Sequence, residues 1–259
     1  MTRFVTVHSF RRGAGKTTIS VNLAGVLARA GVSVLLVETA HRAEDAGSVL
    51  GGTRPDGFAE LVAGTADAEA VGYDATETVG SSAGGRLVVV NGGRAVAPDP
   101  DAIGDATTTA FHALLDAFAP DFVVLDTAAG LTEETLTLLT VTDDLLLLVR
   151  PDRRDHQGSA VTADVAVRIG VPRPALVLTQ LPGTVLDPAD RARIEEAFSI
   201  PVAAVLPFSR EIAEHQGDHP FAISHRGDPW STALTELASA LVAADPATRR
   251  LPPARTSGD

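Results

Sequence analysis

Residues 9–18 read Ser-Phe-Arg-Arg-Gly-Ala-Gly-Lys-Thr-Thr and bring together two glycines, an ammonium and three hydroxyls. Small residues let backbone N–H groups close around an oxyanion, and a helix opening at Lys16 adds its positive dipole end. That chemistry is phosphate binding. The backbone from Arg12 through Gly13, Ala14 and Gly15 would form the cradle, and Lys16 would reach the β- and γ-phosphates. Thr17 and Thr18 would follow as the first hydroxyls of the helix, with Thr17 suited to Mg2+. Lys16 is the only lysine among 21 basic residues. A flexible point charge therefore stands here in a chain that otherwise uses planar guanidinium groups. The plainer alternative is a Gly-rich turn that caps a helix and binds nothing. An acid farther along the chain belongs to the same chemistry: Asp126 closes an apolar run and opens a turn containing Gly130, where a carboxylate could hold magnesium or simply cap the turn.

The elements that must position these groups can be read from the apolar runs. Residues 4–7, 32–37, 87–90, 122–125, 145–149, 175–178 and 202–206 are short, rich in Val and Leu, and lack strict alternation. Strands covered on both faces have that character. Between them, helical periodicity marks 16–30, 102–118, 132–140, 154–169, 188–198 and 210–215, with a last helix over 230–243. Strand followed by helix, repeated, predicts an α/β domain with a mostly parallel twisted sheet flanked by helices on both faces. The expected organisation is one nucleotide-binding domain over 1–244 and a disordered tail over 245–259.

Composition bounds the partners. A formal charge of −12 disfavours non-specific attraction to DNA or anionic lipid, and the absence of cysteine excludes disulfides and thiolate metal sites. Any metal must use oxygen ligands. No apolar run is long enough to span a membrane and no signal-peptide layout opens the chain, so a cytoplasmic location is expected. His215 and His219 have i, i+4 spacing, but the glycine and proline around them point to a loop rather than a metal pair. Asp143-Asp144 and Glu133-Glu134 read as cap and solvated-face residues.

The run Arg11-Arg12-Gly13-Ala14-Gly15-Lys16-Thr17-Thr18 resembles the deviant Walker A loop of MinD/ParA-type P-loop ATPases, Lys-Gly-Gly-x-Gly-Lys-Thr-Thr. The strand 122–126 with Gly130 is similar to that family's Asp-x-x-x-Gly segment. Residues 143–152 resemble its Asp-Asp-hydrophobic-Pro-Asp stretch, and 203–214 its segment after the last core strand. The resemblance implies ATP and Mg2+ as ligands, Thr17 and Asp126 at the metal, and Gly130 near the γ-phosphate. It also implies an adenine site framed by Thr179, Pro207 and Phe208, and a nucleotide-dependent homodimer that positions a division site, a chromosome or a protein cargo. Arg11 stands at the family's trans-acting lysine and would act across the dimer like an arginine finger. Two positions depart: Arg12 replaces a glycine at the dimer face, and Glu38-Thr39-Ala40 replaces Asp-x-Asp, with Glu44 and Asp45 nearby. These departures imply weak or partner-stimulated hydrolysis, or an adaptor that binds nucleotide without turnover. DNA binding would require Arg168, Arg173, Arg191 and Arg193 to converge. The tail of 245–259 has too few large apolar residues for an amphipathic membrane helix.

Overall fold

The computed structural model describes residues 1–40, 46–52, 54–81, 83–94, 103–182, 186–215, 219–245 and 251–252. In chain order the elements are β1 (Arg3–His8), α1 (Lys16–Arg29), β2 (Ser33–Glu38), α2 (Ala46–Leu50), α3 (Phe58–Val62), α4 (Ala68–Val71), β3 (Gly72–Asp74) and β4 (Arg86–Val90). They continue with α5 (Ile103–Phe118), β5 (Phe122–Asp126), α6 (Glu133–Val141), β6 (Asp144–Val149), α7 (Arg153–Ile169) and β7 (Arg173–Leu181). The last are α8 (Pro188–Phe198), β8 (Val202–Pro207), α9 (Arg210–Glu214), α10 (Phe221–Ser224) and α11 (Pro229–Ala243). All eight strands form one sheet in the order β3-β4-β2-β5-β1-β6-β7-β8, and only β3 runs antiparallel.

Strand residues alternate between the two faces even though both faces are apolar. Val5, Val7, Val34, Leu36 and Val124 pack under α1, α10 and α11. Phe4, Leu35, Val37, Val123 and Leu125 pack against α5 and α6, while Leu145, Leu147, Val149 and Leu176 pack against α7 and α8. The expected doubly covered sheet is therefore present, and a period of two survives in the packing without a polar face to reveal it. Most strands extend past their apolar runs to take in polar ends such as His8, Glu38, Asp126 and Asp144. Backbone pairing continues there whatever the side chain. Strand β3 and the short helices α2, α3, α4 and α10 had no periodicity long enough to read.

One expectation is corrected. Asp143 and Asp144 are buried rather than solvated. Asp143 accepts from the Phe4 N–H at 2.8 Å, and Asp144 receives Arg3 and Arg173 through contacts of 2.6–3.1 Å. The amino ends of β1, β6 and β7 converge under the end of α11, and partners on separate strands leave no sequence spacing to read. Leu251, within the segment expected to be disordered, packs against the α5 side of the core, and Pro252 O lies 2.7 Å from His112 Nε2. The rest of that segment from 246, like Glu44 and Asp45, lies outside the described residues. Among the described residues, no helix is long and apolar enough to cross a membrane.

Candidate functional site

The loop 9–15 joins β1 to α1 and lies at the carboxyl end of the sheet, between the ends of β5 and β6. Gly13 and Gly15 hold positive φ angles of 79° and 88°, which side-chain-bearing residues rarely adopt, and the space beside Gly15 is open. No side chain caps the start of α1 and no acid occupies its first turn. The helix thus presents its amino end to the loop without an internal counter-charge, which suits an external anion. Lys16 Nζ donates to Ser9 Oγ at 3.2 Å, folding the ammonium back over the loop. Burial lowers the Lys16 pKa from its ordinary value, with Asp126 pulling the other way.

Asp126 is paired in register with Val7 on β1 and Glu38 on β2, so its carboxylate faces the loop from the neighbouring strand. Thr17 Oγ1 donates to Asp126 Oδ2 at 2.6 Å, and Ser20 Oγ to Oδ1 at 3.4 Å. Burial pushes Asp126 up to about 6, against the bond from Thr17 and the charge of Lys16. A hydroxyl and a carboxylate in contact, both hard oxygen donors in a buried setting, form a donor set that fits Mg2+. Gly130 joins the same corner through its N–H, which donates to Ser9 O at 3.3 Å.

The loop's remaining predicted residues divide by exposure. Ala14 is buried, while Arg12 and Thr18 are exposed and Arg11 is half-buried. Thr179, Pro207 and Phe208 gather at the ends of β7 and β8, two and three strands from β1. Thr179 is buried with its Oγ1 unpartnered, Pro207 is buried, and Phe208 is 62% exposed. Glu38 is buried, and its Oε1 accepts from the Ala46 N–H at 2.6 Å, so this oxygen is engaged by backbone. His215 follows α9 and its Nε2 lies 2.9 Å from His219 O, a loop contact. The four arginines named for DNA each face an acid: Arg168 with Asp164, Arg173 with Asp144, Arg191 with Glu195 and Arg193 with Asp190.

Several neighbours of the loop were missed. His8 is buried under the loop with Nδ1 2.7 Å from Thr127 Oγ1, whose own proton reaches Val7 O at 3.0 Å. Burial and the nearby Lys16 charge push His8 down to about 3. Phe10 lies against Gly158 of α7, where a Cβ would come within 2.0 Å of the ring. Gln180 Nε2 donates to Gly13 O at 3.0 Å, and Arg150 reaches the loop from β6. Phe10, standing where the general P-loop pattern Gly-x-x-x-x-Gly-Lys-Thr has its first glycine, and a glycine inside a helical pattern were the available signals for the Phe10–Gly158 contact. Arg150 and Gln180 gave none.

A glycine loop between a central parallel strand and a helix, with a lysine at the helix start and an acid closing the adjacent strand, defines a P-loop nucleotide-binding protein. Residues 5–220 match the family model described as the CobQ/CobB/MinD/ParA nucleotide binding domain, and the chain belongs to that family. It is similar to an uncharacterized ATP-binding protein of Methanocaldococcus jannaschii, at 24% identity over 93% of this chain and 88% of the relative. Its fold is similar to a chain of the MinC:MinD cell division protein complex of Aquifex aeolicus, with a TM-score of 0.77 and 16% identity, covering 96% of this chain and 99% of the other. The septum site-determining protein MinD of Pyrococcus horikoshii, complexed with Mg-ADP, matches with a TM-score of 0.74 and 20% identity, covering 94% and 97%.

Proposed function

We propose that this protein is a magnesium- and ATP-dependent switch that dimerises when ATP is bound and positions a protein cargo, with slow or partner-stimulated hydrolysis. The observation that carries this reading is the convergence of Lys16, Thr17 and Asp126 on the uncapped amino end of α1. Family membership supports it, as do relatives whose descriptions name Mg-ADP and a MinC:MinD complex.

In this reading the backbone of 12–18 holds the phosphate chain while Lys16 leaves Ser9 to neutralise it. Thr17 and Asp126 hold the magnesium, which supplies positive charge to the phosphoryl oxygens. Gly130, tied to Ser9, senses the terminal phosphate through the loop that follows β5. Thr179, Pro207 and Phe208 frame the adenine. Arg11, half-buried in the loop, reaches the nucleotide of a second copy.

A nucleotide-binding adaptor without turnover is the second reading. Two observations favour it: Glu38 spends a carboxylate oxygen on the Ala46 amide, and Arg12 stands exposed where close backbone packing would need a small residue. The two readings separate by light scattering and phosphate release with ATP, ADP and no nucleotide. The switch gives a dimer with ATP alone. Arg11→Ala then binds ATP but stays monomeric, while Lys16→Ala loses nucleotide binding. ATP binding with neither dimer nor phosphate release would select the adaptor. Unchanged nucleotide affinity in Lys16→Ala would refute both.

A further inference from the structure

Arg150 stands at the end of β6, on the opposite flank of β1 from Asp126, because the sheet runs β5-β1-β6. The fully buried carboxylate of Asp155 holds it, accepting from the Arg150 backbone N–H at 3.1 Å and from Nε at 3.4 Å. The far end of the guanidinium borders the apex of the loop: one terminal nitrogen lies 3.7 Å from where a Cβ on Gly13 would stand. Among the described residues, no acceptor pairs with either terminal nitrogen of Arg150. An arginine serving only to balance Asp155 would turn its fork onto that carboxylate, as Arg3 and Arg173 do on Asp144. Here a single long contact at Nε fixes the stem and leaves the fork free. The Gly13 carbonyl beside it is already held by Gln180 Nε2.

We propose that Arg150 contacts the phosphate chain of the nucleotide from within the same chain, completing the cradle on the β6 side as Asp126 and its cation do on the β5 side. This rests on the ATP-binding reading above. A free guanidinium fork matches phosphate oxygens in both charge and spacing. Asp155 is the positioning residue that aims it.

The test titrates the full chain with Mg-ATP and with inorganic tripolyphosphate at low and high salt, comparing the wild type, Arg150→Gln, Arg150→Lys and Lys16→Ala. Losing one charge-assisted contact weakens both ligands about tenfold in Arg150→Gln. The affinity of that variant also becomes less sensitive to salt, because one screened charge pair is gone. Arg150→Lys recovers part of the affinity and the salt dependence. Affinity within twofold of wild type in Arg150→Gln overturns the proposal. So does a tenfold loss with unchanged salt dependence, which is what a brace behind the loop would give. If Arg150→Gln fails to fold, Arg150→Lys decides: ATP affinity and salt dependence both below those of the wild type support the contact, and wild-type values overturn it. Lys16→Ala tests the underlying reading separately, since its loss of nucleotide binding does not depend on Arg150.

Discussion

At the scale of single residues, two buried ionisable groups on the strand ends beside the loop, Asp126 on β5 and His8 on β1, titrate in opposite senses. Asp126, raised to about 6 by burial, prefers its proton in the folded chain. Its contribution to stability is complete below its unfolded pKa of 3.8 and is lost as pH rises through about 6. His8, lowered to about 3 by burial and Lys16, behaves in reverse: its contribution is present above 6.5 and lost as pH falls toward 3. Each slope is about 1.4 kcal/mol per pH unit, so in the nucleotide-free protein the two largely cancel between about pH 4 and 6. Removing either group unmasks the other. Relative to wild type, Asp126→Asn should gain stability with rising pH across that window, while His8→Asn, whose amide can still donate to Thr127, should lose it. Asp126→Asn should also be about 3 kcal/mol more stable than wild type at neutral pH, since a buried charge has gone, and should lose the magnesium dependence of nucleotide binding. Urea unfolding from pH 4 to 8 measures this, and variants whose curves run parallel to wild type would show that neither group titrates as described.

Between elements, the contact that ties the loop to α7 is Phe10 on Gly158. A glycine inside a helix destabilises it by about 1 kcal/mol relative to alanine, so Gly158→Ala alone would ordinarily be a gain. Here the added Cβ would meet the Phe10 ring, and that ring must swing away from α7. The gain should therefore be absent in wild type and return in a Phe10→Gly background. The resulting coupling is about 1 kcal/mol in a double-mutant cycle read by urea unfolding. Additive effects would mean that Phe10 moves aside freely and that the ring does not anchor the loop. This contact also marks the limit of what the sequence discloses. The strands, the long helices and the Lys16–Thr17–Asp126 set were legible because each rests on local spacing: apolar runs, a glycine loop, an acid at a strand end. Residues 10 and 158, or 13, 150 and 180, meet only because β1, β6 and β7 lie side by side, and no local pattern states that adjacency. Asp143 and Asp144 were misread for the same reason, their partners Phe4, Arg3 and Arg173 standing on other strands.

Across the whole molecule, the two ends of the parallel sheet have divided their work. Ligands of open α/β sheets bind outside the carboxyl ends of the strands, where the loop, Asp126 and Arg150 lie. The amino ends instead hold Asp144 between two guanidinium groups, and these also gather carbonyls at and just past the end of the last helix, Arg3 on Leu241 and Ala244 and Arg173 on Asp245. A cation at a helix carboxyl end opposes the dipole there, so the cluster pins α11 over β1, β6 and β7. Asp144 is the hub. Asp144→Asn would leave Arg3 buried without its counter-charge, which should destabilise the fold by about 3–5 kcal/mol. Arg173→Ala should lose less, because Arg173 is partly exposed and the Arg3–Asp144 pair survives. Both losses should leave ATP affinity within twofold of wild type under conditions where the variants remain folded, since the cluster touches no group of the loop. Urea unfolding and nucleotide titration on the same samples test the division. If Arg173→Ala weakened ATP binding as strongly as it weakened the fold, the two ends would be coupled through the strands, and the cluster would belong to the nucleotide site instead of the frame beneath it.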